Sequence, residues 1–137
     1  MSNWPIESFK RVGPLHFGMR QPEVAATLGE PGRRFKKGMS DTVTEAYKNA
    51  GVHVYYDGRG SMEFVELFPP AQPIYDGVEL MRSDSQAVLQ ELALRGIKPR
   101  DDGDGGIWFD DHGFALYSPG GRTEGISVFR RGYNQSA

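Results

Sequence analysis

Residues 101–113 read DDGDGGIWFDDHG, which sets five aspartates and one histidine around Ile107, Trp108 and Phe109. Oxygen-rich stretches of this kind hold calcium, and paired carboxylates beside a histidine can move protons. Spacing argues against calcium, whose loop needs oxygen donors at its first, third, fifth and twelfth positions. Counted from Asp102 those positions fall on Asp102, Asp104, Gly106 and Gly113, and counted from Asp101 on Asp101, Gly103, Gly105 and His112. Neither frame supplies the donors. His16, His53 and His112 share no short helical or hairpin spacing that would hold a transition metal. The expectation is a protein without a metal or other cofactor.

Other chemistry finds no better support. Glu63, Glu66, Asp110 and Asp111 can be paired on paper into an acid and a base, but among 18 acidic residues such pairs arise freely. No GxxxxGK[ST] phosphate cradle is present, and no GxGxxG opens a helix after a strand. The sequence therefore reads as a non-enzyme. Its net charge of −2 supplies none of the basic field that nucleic acid requires. The absence of cysteine excludes disulfides and thiolate chemistry and suits a reducing compartment. No run approaches the ~18 apolar residues of a membrane span, and MSNWPIESFKRVG has no apolar secretory core. The expectation is a cytoplasmic protein that contacts neither nucleic acid nor membrane.

The 137 residues suit one domain, 1–137, and 18 glycines with 9 prolines favour short elements joined by turns. Sliding the chain by 62 positions sets Met19-Arg20 on Met81-Arg82, Ala25 on Ala87, Gly51 on Gly113, Tyr55 on Tyr117 and Gly58 on Gly120. That long period predicts internal repeats at about 13–68 and 75–131. Each half reads as a helix followed by three strands. The first helix lies in GMRQPEVAATLGEPG and ends at Gly29 and Pro31; the second lies in RSDSQAVLQELALRGIKP, capped by Ser83 or Asp84 and stopped by Gly96 and Pro99. The strands are TVTEAYKN, VHVYYDG and SMEFVELF in one half and GIWFDD, FALYS and GISVFRRG in the other. PPAQPIYDG, with three prolines, reads as an extended connection between the halves that cannot be central sheet, and the basic GRRFKKG as a solvated loop. The predicted fold class is α+β, with two tandem helix-plus-three-antiparallel-strand repeats and the helices on one face of the antiparallel sheet. DDHG is then a hairpin turn, as KNAG is in the first half.

Strand alternation sorts the side chains into two faces. If the helices cover the aliphatic face, the other face shows His53, Tyr55, Trp108 and Tyr117, edged by Asp101, Asp102, Asp104, Asp110 and Asp111. Rings framed by charge suit a protein-binding surface, because they contribute large contact area at low entropy cost. The same rings would equally fill a second small core under the terminal segments.

Taken together, the repeat and the element order resemble the tandem plan of the β-lactamase inhibitory proteins over about residues 13–131. Those inhibitors are secreted and disulfide-bonded, and this chain has no cysteine, so the resemblance does not extend to their target. VGPLHFGMRQPEVAATLGEPG and VHVYYDGRGSMEFVELF are similar to small bacterial immunity proteins encoded beside polymorphic or contact-dependent toxins. That resemblance implies a non-catalytic inhibitor occluding a toxin's active site, with the five aspartates standing in for substrate phosphates and Trp108 as an anchor. Two other classes stay open. One is a homo-oligomeric interaction or scaffold domain using the aromatic face as its dimer interface, and the other is a small-molecule-binding or hydrolytic protein using the cleft between the halves.

Overall fold

A computed structural model describes residues 3–36, 43–82 and 84–133. In chain order the first half contains β1 (Asn3–Glu7), β2 (Arg11–Val12), β3 (Leu15–His16), α1 (Gln21–Leu28), β4 (Arg33–Lys36), β5 (Val43–Tyr47), β6 (Val52–Tyr56) and β7 (Met62–Leu67). The second half contains β8 (Gln72–Tyr75), β9 (Val78–Glu79), α2 (Ser85–Leu94), β10 (Arg100–Asp101), β11 (Gly106–Phe109), β12 (Phe114–Tyr117) and β13 (Gly125–Phe129). Eight strands form one antiparallel sheet in the order β10-β11-β12-β13-β7-β6-β5-β4, and five form a smaller sheet in the order β3-β2-β1-β8-β9.

This mostly β architecture overturns the expected α+β fold of two helix-plus-three-strand repeats. Three features of the chain account for the difference. RRFK is an added edge strand: Arg33, Arg34 and Phe35 pair with Ala46, Glu45 and Thr44, so the basic stretch is not a loop as far as it is described. Lys37 lies outside the described residues. QPIY is sheet as well, running parallel to β1 with Trp4 opposite Pro73. Proline cannot donate a ladder hydrogen bond, but its carbonyl still accepts. Pro73 takes the Leu80 N–H at 3.0 Å and Pro5 takes the Gly13 N–H at 2.8 Å, so both prolines are accommodated within the smaller sheet. The helices, finally, are only 8 and 10 residues long. They share the covering of the large sheet with the smaller one.

One core fills the space so enclosed. Alternation aims Val54, Val65, Val128, Phe114 and Phe109 inward along one row that crosses five strands. Val24 from α1, Val88 and Leu92 from α2, and Trp4, Ile6, Val12 and Leu80 from the smaller sheet and its border join the same cluster. Each large aliphatic or aromatic side chain so buried contributes about 1.5–3 kcal/mol. Asp84 caps α2 by accepting the Gln86 N–H at 3.0 Å, while Ser83, the other expected cap, lies outside the described residues. DDHG closes the β11–β12 hairpin: the N–H groups of His112 and Gly113 both donate to the Phe109 carbonyl, and Gly113 takes φ 78°, where glycine is favoured. His112 also ties the sheets together, since its Nδ1 lies 2.8 Å from the Tyr75 hydroxyl, which in turn meets Ser8 Oγ at 2.9 Å.

At the β5 side of the core sits a buried charge. Glu45 is 1% exposed, and its Oε1 accepts the hydroxyls of Tyr47 at 2.9 Å and Tyr56 at 2.7 Å, while Arg34 Nε reaches Oε2 at 3.3 Å. Burial first, and then the hydrogen bond to Glu45, pushes the Tyr47 hydroxyl up from 10.0 to about 12, and the same causes raise Tyr56. A group whose folded pKa is raised contributes stability that is intact below its unfolded value and lost as pH climbs through the folded one. The protein should therefore lose stability as pH rises from 10 through about 12. Ultraviolet titration checks this: Tyr47 and Tyr56 should stay un-ionised in the native protein at a pH where the unfolded chain has titrated. A native curve that overlays the unfolded one would contradict it.

Candidate functional site

The outer face of the large sheet carries a single row of cross-strand partners that spans all eight strands: Arg33, Ala46, His53, Glu66, Ser127, Ala115, Trp108 and Arg100. Such neighbours stand about 4.5–5.5 Å apart and interact directly. Beside it runs a second row, Phe35, Thr44, Tyr55, Phe64 and Phe129. The two rows have different fates. Phe64 and Phe129 are buried, with Tyr133 over Phe64 at 4.7 Å between ring centroids and Tyr55 edge-on to Phe64 at 5.2 Å. Phe9, Tyr55, Trp108 and Tyr133 surround this small cluster, so part of the outer face is a second core closed by the chain's own terminal segments.

Toward the β10–β12 end of this face a shallow depression of about 260 Å³ stays open, lined by Glu66, Asp102, Asp104, Trp108, Tyr117 and Ser127, among others. Trp108 is held on three sides. Its indole N–H donates to Asp102 Oδ2 at 2.9 Å, the Arg100 guanidinium lies 5.5 Å from its ring centroid, and Phe129 tilts against it at 5.6 Å. Cation–π contact and ring packing of this kind fix the indole with part of its surface still open. Tyr117, 49% exposed, is one of two large hydrophobic side chains that stand out into solvent among the described residues.

The aspartates divide by role. Asp102 Oδ1 accepts the N–H groups of Asp104 at 2.7 Å and Gly106 at 2.9 Å, and Asp101 accepts that of Gly103 at 2.8 Å. These are the turn bonds that short carboxylate side chains make. The Trp108 indole, followed by the Asp104 and Gly106 N–H groups, holds the Asp102 carboxyl below the usual aspartate range. Asp110 sits at the far end of β11, where Arg100 grips it with bonds of 2.7 and 3.1 Å, and Asp111 is exposed in the following turn. Among the described residues no three His, Asp or Glu side chains converge as a metal-binding set.

Of the residues singled out from sequence, Trp108, Tyr117, Asp102 and Asp104 come together in the depression. Asp101, Asp110 and Asp111 do not line it. Tyr55 and His53 join its margin through Glu66: the Tyr55 hydroxyl donates to Glu66 Oε1, and His53 Nδ1 stands 4.0 Å from the same oxygen. Burial and that bond raise the Tyr55 pKa. Sequence reasoning missed the placement of Glu66 and the part played by Arg100. Glu66 is legible in hindsight, because MEFVEL puts it on the face opposite Val65 and Leu67. Arg100 belongs to a two-residue strand with no alternation to read.

No family model matches the chain, and no curated protein or solved structure matches it either. Among the described residues no helix is long and apolar enough to cross a membrane.

Proposed function

We propose that this protein is a non-catalytic binding module, an inhibitor or immunity protein that covers the active site of a partner protein with its acidic-aromatic sheet surface, in the cytoplasm. The observation that carries the reading is the fixed indole of Trp108, already hydrogen-bonded to Asp102 and flanked by Tyr117, Asp104 and Glu66. An aromatic anchor that needs no reordering on binding loses little side-chain entropy. Carboxylates around it favour a partner whose active-site rim is basic, and they would speed the encounter as well as select the partner. Such a surface suits an enzyme that handles phosphate-bearing or otherwise anionic substrates.

Self-association has an observation of its own. Tyr117 stands 49% exposed beside the fixed Trp108, and an open aromatic patch of this kind would also pack against its own copy across a two-fold axis. Photo-crosslinking from position 117 identifies what sits on the face, and analytical ultracentrifugation separates a stable dimer from a free monomer.

A further inference from the structure

Away from the acidic depression, at the β4–β6 flank, lies a larger cavity of about 640 Å³ whose lining includes Arg33, Lys48, His53, Val52, Phe68 and Pro31. We propose that this cavity is a binding site for a small amphipathic organic anion: a carboxylate or sulfonate carrying an aliphatic or aromatic tail. The inference goes beyond the protein-binding reading and does not depend on it.

Size comes first. Pockets that take small organic ligands run from about 300 to 1,000 Å³ and combine mostly apolar walls with a few placed polar groups. Val52, Phe68 and Pro31 supply the apolar wall, and His53 stands against the Phe68 ring at 4.9 Å between centroids.

Charge then selects the ligand. Six arginines of the described protein, Arg11, Arg34, Arg82, Arg95, Arg100 and Arg130, each hold a carboxylate. Arg20, Arg33, Arg59, Arg122, Arg131 and Lys48 hold none among the described residues, and of these Arg33 and Lys48 line this cavity, with the Arg33 guanidinium 5.8 Å from the Phe35 ring centroid. Its one acidic lining residue, Glu30, is already engaged, because its two oxygens accept the N–H groups of Asn49 at 3.2 Å and Ala50 at 3.0 Å. Guanidinium and ammonium groups that hold no carboxylate among the described residues, set beside an apolar wall, match an anionic head and an apolar tail.

The walls are also built to hold their shape. Glu30 clamps the turn that carries Lys48. At Gly32 the chain lies so close to Tyr47 that a Cβ would stand 2.7 Å from its ring, so the strand carrying Arg33 is pressed onto the cavity wall. The Phe68 N–H donates to the Gly51 carbonyl at 2.7 Å and fixes the opposite side. A preformed cavity binds without the cost of ordering its own walls.

The test is a titration of the ¹⁵N-labelled protein with octanoate, followed by its amide resonances, with octylammonium as a probe of equal tail and opposite charge. Octanoate should shift the Val52, His53 and Phe68 amides saturably, and octylammonium should leave them in place. The double variant Arg33→Glu, Lys48→Glu should bind octanoate at least about ten-fold more weakly with its melting temperature retained. Absence of a saturable shift, an equal response to octylammonium, or shifts centred on Trp108 and Tyr117 would overturn the assignment. The two-probe comparison uses the unaltered protein, so it decides the matter even if the double variant fails to fold.

Discussion

Glu45→Ala is expected to destabilise the protein by about 2–6 kcal/mol, because it strands two buried tyrosine hydroxyls at about 1–3 kcal/mol each. The bonds concerned are those from Tyr47 and Tyr56 to Glu45 Oε1. The Arg34 partnership is the weaker one, since its contact of 3.3 Å is long for a charged pair and the guanidinium is 63% exposed to screening solvent. Loss of this size should lower the melting temperature by roughly ten degrees for a domain of this length. Glu45→Gln keeps an acceptor oxygen where both hydroxyls point and should recover most of the loss. Thermal unfolding of the two variants checks the account. Equal destabilisation by Ala and Gln would show that the negative charge itself, through Arg34, dominates instead.

The second large effect concerns Trp108. Its replacement by alanine should weaken partner binding by about 2 kcal/mol or more, some thirty-fold or greater, as truncation of a central aromatic anchor does. Stability should fall less than for a core aromatic, because one side of the indole faces the open depression while the other rests on Phe129. Trp108→Phe separates the contributions. It retains a ring over Phe129 but removes the indole N–H that is the first cause of Asp102's lowered pKa. Asp102 should therefore titrate at higher pH in that variant, which carboxyl-detected NMR would read directly. The sign follows from linkage: the Asp102 bonds contribute above the ordinary aspartate value of about 4 and are lost as pH falls through the lower folded value. Normal affinity in Trp108→Ala with a collapsed melting temperature would make the indole a packing residue alone.

How far the sequence could be read depended on the range of the interaction. Local signals were clear: Gly29 and Gly96 end the helices with positive φ, and DDHG is a turn. The alternation in VHVYY and FALY aims Val52, Val54, Phe114 and Leu116 inward and His53, Tyr55 and Tyr117 outward. What failed was pairing between distant segments. The parallel match of NWPIE with QPIY joins the first strand of the chain to the first strand of the second half and leaves no local trace, and prolines in both strands argue against sheet on propensity alone. The edge strand RRFK carries charge where a strand is expected to carry apolar residues, as edges exposed to solvent often do.

For the candidate site the same distinction holds. Trp108, Asp102 and Asp104 are close in sequence and reach the depression together, with Tyr117 brought alongside by the β11–β12 hairpin. Asp110 and Asp111 belong to the same acidic run, but four strand residues carry them to the other end of β11, where Arg100 neutralises Asp110. Composition cannot separate the two groups, since their distance follows from the 3.2–3.4 Å rise per strand residue. The cavity around Arg33, Lys48 and Phe68 was invisible for another reason. Its walls come from the α1–β4 link, the β5–β6 hairpin and the segment after β7, which only the folded sheet brings together.

Central to this account is a face that one protein partner occupies. The most direct measurement places a photo-crosslinking amino acid at position 117 and, as a control, at position 94 in the cells from which the protein comes. Leu94 is 86% exposed but sits on α2, on the other side of the large sheet from Tyr117. The account predicts one discrete crosslinked protein from position 117, with a basic active-site rim, absent from position 94 and lost when Asp104→Lys is added. Crosslinking only to a second copy of this chain, no crosslink at all, or the same products from both positions would contradict it.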